Sequence, residues 1–182
     1  MPIEGDRVKY FEHLAQGKQP YIGYKLLCLL NKYGIVRSVW STNFDGLVER
    51  AAQQANITPI CINLDCADRI YRTESTSELL YIALHGDYKY TSLKNTSKEL
   101  DNQHPTFVAA LKRYFNDKNL IVIGYSGRDK SLMSALTEAF SEKGSGRIYW
   151  CGYGSHISPE KQIGMHIILI PMDLTRQCFR LL

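Results

Sequence analysis

The stretch VWSTNFDGLVERAA, residues 39–52, changes character twice over a short length. It is apolar through Trp40, polar from Ser41 to Asn43, and from Asp45 onward its apolar residues recur at the spacing of an amphipathic helix. One face of that helix would carry Leu47, Val48, Ala51, Ala52 and Ala55. The stretch therefore predicts a strand, a polar turn and a helix in direct succession.

The same alternation runs along the rest of the chain. Helical spacing predicts helices within 7–16, 24–34, 45–56, 104–118, 130–144 and 174–182. Short apolar or β-branched runs predict strands within 35–40, 57–64, 78–86, 119–124, 147–154 and 166–172, with polar loops at 65–78 and 88–102. Apolar strands alternating with helices are typical of an α/β protein, here a Rossmann-like parallel sheet with helices on both faces.

Composition limits the class of protein. With 182 residues, 45% of them hydrophobic, the chain is long enough for one domain over residues 1–182. The net charge of +4 is spread without any run of like charges, so direct nucleic-acid binding is not expected. No apolar run approaches the roughly 20 residues that cross a bilayer, and no membrane association is expected.

The cysteines favour a reducing compartment. The chain has five, with no C-x-x-C pair and no apolar leader segment, which indicates a cytoplasmic location. Cys61 and Cys66 are the nearest pair, and no second pair completes a four-ligand set. No bound zinc is expected.

Polar residues follow three of the predicted strands, at Ser41–Asp45, His85–Asp87 and Gly124–Asp129. In parallel α/β sheets, ligands bind outside the carboxyl ends of the strands. Each cluster also has a structural interpretation: Asp45 and Asp129 as helix caps, Asn43 as an Asx turn, His85 as a loop residue. Their coincidence at one predicted edge of the sheet favours a ligand site.

Three segments, STNFD, LHGD and IVIGYSGRDKSLM, resemble in this order the motifs of the sirtuin-like NAD-binding domain, and specifically its branch in bacterial anti-phage defence proteins. The similarity covers roughly residues 18–155. It implies that Asn43 and His85 form the catalytic pair and that NAD is bound as a substrate. The cofactor-binding residues that it implies are Thr42, Asp45, Gly86, Gly124, Ser126 and Asp129.

The sequence departs from that family in two ways. Sirtuin-like domains open with a strand and a Gly-Ala-Gly-x-Ser loop that wraps the pyrophosphate at a helix N-terminus, and the printed sequence contains no such segment. We therefore expect a partial domain, truncated at its N-terminus, with little NAD hydrolysis by itself. The four-cysteine zinc module of the deacetylase branch is also missing, which makes NAD cleavage a better expectation than protein deacylation.

The resemblance implies an NAD glycohydrolase that releases nicotinamide and ADP-ribose. Cleavage develops oxocarbenium character on the ribose, so the site must hold the sugar and guide one nucleophile. Asn43 would orient the ribose or the water, and His85 would accept a proton, since a free imidazole has a pKa of roughly 6.5. The alternatives are a non-catalytic module that binds NAD or ADP-ribose and an NAD-dependent deacylase. Beyond the nucleotide, a second copy of the chain or an effector domain, fused or separate, remains open as a partner.

Overall fold

The computed structural model describes residues 4–43, 45–63, 69, 72, 75, 77–84, 105, 108–141, 146–152 and 167–171. The chain divides into two compact units, Met1–Glu99 and Leu100–Leu182. Each unit is described by itself below.

The first unit is built around a parallel sheet. Its elements are α1 (Glu4–Ala15), α2 (Ile22–Lys32), β1 (Ser38–Ser41), α3 (Leu47–Gln54), β2 (Thr58–Asn63) and β3 (Glu78–Ala83). The strand order is β1-β3-β2, and both pairs are parallel. β3 lies in the centre, and all its residues after Glu78 are buried, as expected for a strand with neighbours on both edges.

The core of the first unit forms where α2 and α3 pack on the sheet. α3 buries the face predicted for it, and its alanines allow close approach to the strands. The buried cluster comprises Cys28, Val48, Ala51, Ala52, Ile57, Leu79, Tyr81 and Ala83, and partly buried Tyr24, Leu27, Val39, Ala55 and Cys61 pack against it.

The second helix buries an unexpected face. Asn31 is only 1% exposed, whereas Leu26 and Leu29 are each 48% exposed. The Asn31 amide donates to the carbonyl oxygens of Val36 (2.9 Å) and Glu78 (3.3 Å), so it ties the end of α2 to the start of β3. Burial of this face gives two backbone carbonyl oxygens a hydrogen-bond donor, and the apolar pattern of α2 does not predict such a contact.

The second unit contains a separate parallel sheet. Its elements are a helix over residues 108–114, which we call α4, then β4 (Leu120–Ile123), α5 (Lys130–Ala139), β5 (Ile148–Gly152) and β6 (Ile167–Pro171). The strand order is β4-β5-β6, again all parallel. Apolar residues at helical spacing along the predicted helices 104–118 and 130–144 are buried: Val108, Leu111, Tyr114, Phe115, Leu132, Met133, Leu136 and Phe140. Phe107, which belongs to the same predicted face, lies outside the described residues.

The predicted α/β class with parallel strands is confirmed. The described strands form two three-stranded sheets; the expectation of one domain stays a prediction. The predicted loop at 88–102 and the predicted helix at 174–182 lie outside the described residues, as does most of the loop at 65–78. No helix in the described part of the chain is both long and apolar enough to traverse a bilayer.

Candidate functional site

Three hydrogen bonds hold the main chain of the turn after β1 in place. The backbone N–H of Asn43 donates to Ser41 Oγ at 3.0 Å, and the N–H of Leu84 donates to the carbonyl oxygen of Ser41 at 2.9 Å. Tyr81 Oη donates to the carbonyl oxygen of Asn43 at 3.4 Å. Since Tyr81 lies on the central strand, the backbone of Asn43 is anchored to the most buried part of the sheet.

Asp45 stabilises the start of α3. Its Oδ1 accepts the backbone N–H of Leu47, the first helical residue, at 3.0 Å. Gly46 lies between them with φ of 64°, in the left-handed region that glycine adopts without steric cost. A carboxylate at a helix N-terminus is also favoured by the helix dipole. The capping interpretation of Asp45 is therefore confirmed.

Tyr24, on α2, belongs to the same site. Its phenol lies near the side chains of Asn43 and Asp45, and both affect its pKa. The pKa of Tyr24 is raised to about 12, mainly by burial and also by the charge of Asp45, while the Asn43 side chain acts in the opposite direction. Sequence reasoning missed this residue. Its only signal was its position with Leu27, Cys28 and Asn31 at i, i+3, i+4 and i+7, which marks the inward face of α2.

The side chain of Asn43 is exposed and that of Thr42 is half-buried, so Asn43 is accessible to a ligand. His85 and Gly86 lie outside the described residues. β1 and β3 are adjacent and parallel, with Ser41 paired to Ala83. In the sequence, Asn43 and His85 each follow that pair by two positions.

The turn after β4 contains the candidate residues of the second unit. Gly124 and Gly127 have φ of 69° and 71°. A Cβ atom on Gly127 would lie 3.4 Å from Met133 Sδ and 3.6 Å from Trp150 Cζ2, so this turn packs closely. Asp129 Oδ1 accepts the backbone N–H groups of Ser131 (3.0 Å) and Leu132 (3.2 Å), which confirms its capping interpretation.

A cleft of about 830 Å³ runs along α5 in the second unit. Ser126 lines it, with Arg128 and Lys130 at the same end of the helix. The full lining is Ser126, Gly127, Arg128, Lys130, Met133, Ser134, Thr137, Glu138 and Ser141. Two cationic side chains and several hydroxyl groups could donate hydrogen bonds to an anionic group of a ligand.

The structure thus groups the predicted residues in two turns. Asn43 and Asp45 meet around Tyr24 in the first unit, and Gly124, Ser126 and Asp129 lie in the turn before α5 in the second. Burial raises the pKa of the Cys28 and Cys151 thiols, which makes both poor nucleophiles. Among the described residues, no group of three or more His, Cys, Asp or Glu side chains could hold a metal ion; the expectation of no zinc stays a prediction.

Comparison with protein families identifies the domain. The model of the SIR2-like domain family matches residues 37–165, which is well over half of the chain and includes both turns. No curated protein is significantly similar to the chain. The chain belongs to the SIR2-like family, and its α/β fold with parallel strands is consistent with that family's NAD-related function.

Proposed function

We propose that this member of the SIR2-like family is derived from an NAD glycohydrolase of bacterial anti-phage defence. The reaction breaks the bond between nicotinamide and ribose, adds water to the sugar and releases nicotinamide and ADP-ribose. The observation that carries this proposal is the turn after β1, where the backbone of exposed Asn43 is held by hydrogen bonds to Ser41 and from Tyr81 at the carboxyl end of a parallel strand.

Asn43 orients the ribose or the attacking water in this proposal. An amide does not titrate near neutral pH, so its hydrogen bonds to the sugar are the same over a wide pH range. Anchoring of its backbone by Ser41 and Tyr81 supports such a role, because a group that orients a reacting atom must itself be held still.

His85 is the proposed general base, which accepts a proton from the water or from a ribose hydroxyl. It follows the strand next to β1, and in parallel sheets neighbouring strand ends form one ligand-binding edge. Gly86 would allow close approach of the backbone to the ribose.

Asp45 is proposed to fix the loop and not to attack the sugar. Its carboxylate already accepts a hydrogen bond from the backbone N–H of Leu47, and a helix N-terminus weakens a carboxylate as a nucleophile. Thr42 is proposed to shape the same pocket.

The turn before α5 is proposed to contact the adenosine side of NAD. Gly124 would let the backbone approach the ligand, and Ser126, which lines the cleft along α5, would supply a hydroxyl group. Asp129 would contribute indirectly, because its carboxylate caps α5 and so fixes the start of that helix.

A non-catalytic module that binds NAD or ADP-ribose is the second candidate. The observation in its favour is the cleft along α5, where Arg128 and Lys130 would suit the anionic groups of either ligand. For either function we propose a cytoplasmic setting, and a second copy or an effector domain as the protein partner.

Nicotinamide release from NAD tests the proposal. The chain is assayed as it is and with a glycine-loop segment from a family member joined to its N-terminus, each with and without an acyl-lysine peptide. We expect little release by the chain alone and peptide-independent release after the loop is added, lost in Asn43→Ala and His85→Ala variants. Release only with peptide would indicate a deacylase. Nucleotide binding without release would indicate the binding module, and robust cleavage by the chain alone would contradict the role given to the loop.

A further inference from the structure

We propose that α2 is a docking surface for an amphipathic helix of a partner protein, a helix whose apolar seam is bordered by acidic residues. The surface, which we call the α2 stripe, consists of Ile22, Leu26, Leu29 and the C-cap residue Tyr33. The proposal does not depend on NAD cleavage, because none of the four residues belongs to the turn after β1 or to the turn before α5.

The α2 stripe lies on the side of the helix opposite to its buried face. Among the inward residues, Asn31 is only 1% exposed. The stripe residues are open to solvent: Ile22 is 47% exposed, Leu26 and Leu29 are each 48% exposed and Tyr33 is 75% exposed. Single exposed apolar side chains are common on protein surfaces, but a contiguous set of large ones marks an interaction site.

The spacing within the α2 stripe matches a helical partner. Its successive members are four, three and four residues apart, which is the alternation of the a and d positions of a coiled coil. Side chains at this spacing form a narrow seam along one helix, and the side chains of a second helix fit into the holes between them. A lipid surface has no side chains that must fit such holes. The spacing therefore favours a helix as the occupant.

The charges beside the α2 stripe specify the polar residues of that helix. Lys25 and Lys32 are exposed, and each directly precedes a residue of the stripe, so both lie along one border of the seam. No Asp or Glu occurs between Glu12 and Asp45 in the sequence. A partner helix with Glu or Asp on the facing border would complement the two lysines, and border charges of this kind set partner choice in coiled coils.

A second copy of this chain fits the α2 stripe less well. Antiparallel pairing of two α2 helices in full overlap would place Lys25 of one copy opposite Lys32 of the other. The segment has no acidic side chain that could compensate this repulsion, in that orientation or in a parallel one. The charge pattern therefore favours a partner of different sequence.

Binding of a synthetic peptide tests the apolar seam. The probe is a peptide of three heptads with Leu at a and d and Glu at e and g, whose acidic borders disfavour pairing with itself. We expect it to bind the full chain and to gain helical circular dichroism signal. Leu26→Gln with Leu29→Gln should weaken binding at least about 10-fold. Ile121→Gln with Ile123→Gln, at comparably exposed positions of β4, is the matched control and should not change binding. Equal binding by the two double variants would overturn the proposal.

Charge reversal tests the border of the seam. A second peptide with Lys at e and g should bind the unmodified chain at least about 10-fold more weakly than the Glu peptide. In Lys25→Glu with Lys32→Glu this preference should reverse. Lys9→Glu with Arg147→Glu changes the net charge equally at exposed positions elsewhere and should keep the original preference. An unchanged preference in Lys25→Glu with Lys32→Glu would overturn the proposal.

Thermal melting should show that all variants are folded, since every substituted side chain is exposed. If one double variant on α2 does not fold, the other decides the outcome.

Two further measurements distinguish the other occupants. Analytical ultracentrifugation compares self-association of the full chain with that of Leu26→Gln with Leu29→Gln, and cosedimentation with phosphatidylserine vesicles compares their lipid binding. We expect neither to differ between the two proteins. Self-association lost in the variant would assign the α2 stripe to a second copy, and vesicle binding lost in the variant would assign it to an anionic lipid surface. Either result, or no binding of the Glu peptide to the unmodified chain, would overturn the proposal.

Discussion

Two strand-to-helix turns, one in each unit, are built from the same parts. Each has an aspartate whose carboxylate accepts N–H groups at the start of the helix, Asp45 before α3 and Asp129 before α5. Each also has a glycine at positive φ and a half-buried tyrosine near the aspartate. The two helix starts differ in position, since Gly46 is the N-cap of α3 with Asp45 just before it, whereas Asp129 is itself the N-cap of α5.

The two turns differ in what the tyrosine does. In the second unit, Tyr125 belongs to the turn itself, and its ring packs against Trp150 with 5.9 Å between the ring centroids. In the first unit, Tyr24 comes from a separate helix, α2, and lies near Asn43 and Asp45. The first turn is therefore surrounded by side chains from other elements, among them Tyr81, which donates to the carbonyl oxygen of Asn43.

The largest expected effect separates the two turns by kinetics. In the chain with the added N-terminal glycine-loop segment, Asn43→Ala should lower kcat about 100-fold or more, because the group that orients the reacting ribose is lost. Ser126→Ala removes one hydrogen bond of about 1 kcal/mol on the adenosine side, and should raise KM about fivefold at nearly constant kcat. Steady-state nicotinamide release measures both. Equal losses of kcat would show that the turns share the chemistry.

Substitution of the two aspartates should separate stability from activity. Asp129→Ala removes a helix cap and should lower the free energy of unfolding by about 1 to 2 kcal/mol while NAD cleavage is retained. Asp45→Ala should lower stability through the lost bond to Leu47 and also reduce kcat, because Asp45 fixes the turn that carries Asn43. Urea denaturation and the nicotinamide assay are the measurements. Full activity in folded Asp45→Ala would argue that the first turn is only a cap.

The glycines offer a smaller and purely conformational comparison. Gly46→Ala and Gly127→Ala should each cost about 1 kcal/mol of unfolding free energy, because φ is 64° and 71° at these positions. The control is Gly5→Ala in α1, where a Cβ atom meets nothing within 4 Å and the helix propensity of alanine should add stability. Thermal unfolding measures all three. A destabilised Gly5→Ala would show that backbone conformation is not the cause.

The last expected effect is confined to high pH. Burial is the main cause that raises the pKa of both Tyr24 and Tyr125 to about 12, from about 10 for a free phenol. Because the folded state favours the neutral phenols, their contribution to stability is complete below pH 10 and is lost between pH 10 and 12. Absorbance titration near 295 nm should find two phenols that ionise at higher pH than a free phenol. One of these transitions should be absent in Tyr24→Phe and the other in Tyr125→Phe. Phenols that all titrate near pH 10 would contradict the burial of these rings.

A comparison of α5 with α2 shows which features of helix packing the spacing of apolar residues predicts. Leu132, Met133 and Leu136 recur at helical spacing, and all three are buried as predicted. On α2 the same reasoning identifies the helix but not its inward face, because exposed Leu26 and Leu29 carry as strong an apolar signal as buried Cys28. The spacing of apolar residues establishes that a helix forms; a partner surface selects which face is covered.

The sequence by itself determined the α/β class, the order of the elements and the aspartate caps, since each depends on residues close together in the chain. The carboxyl-end turn with Asn43 was also predictable, because it directly follows a strand. Only the tertiary structure decided that Tyr81 donates to the carbonyl oxygen of Asn43 and that Asn31 donates to the carbonyl oxygen of Glu78. These contacts join residues from different elements, and they exist because a buried polar group must find a partner wherever the fold brings one within reach.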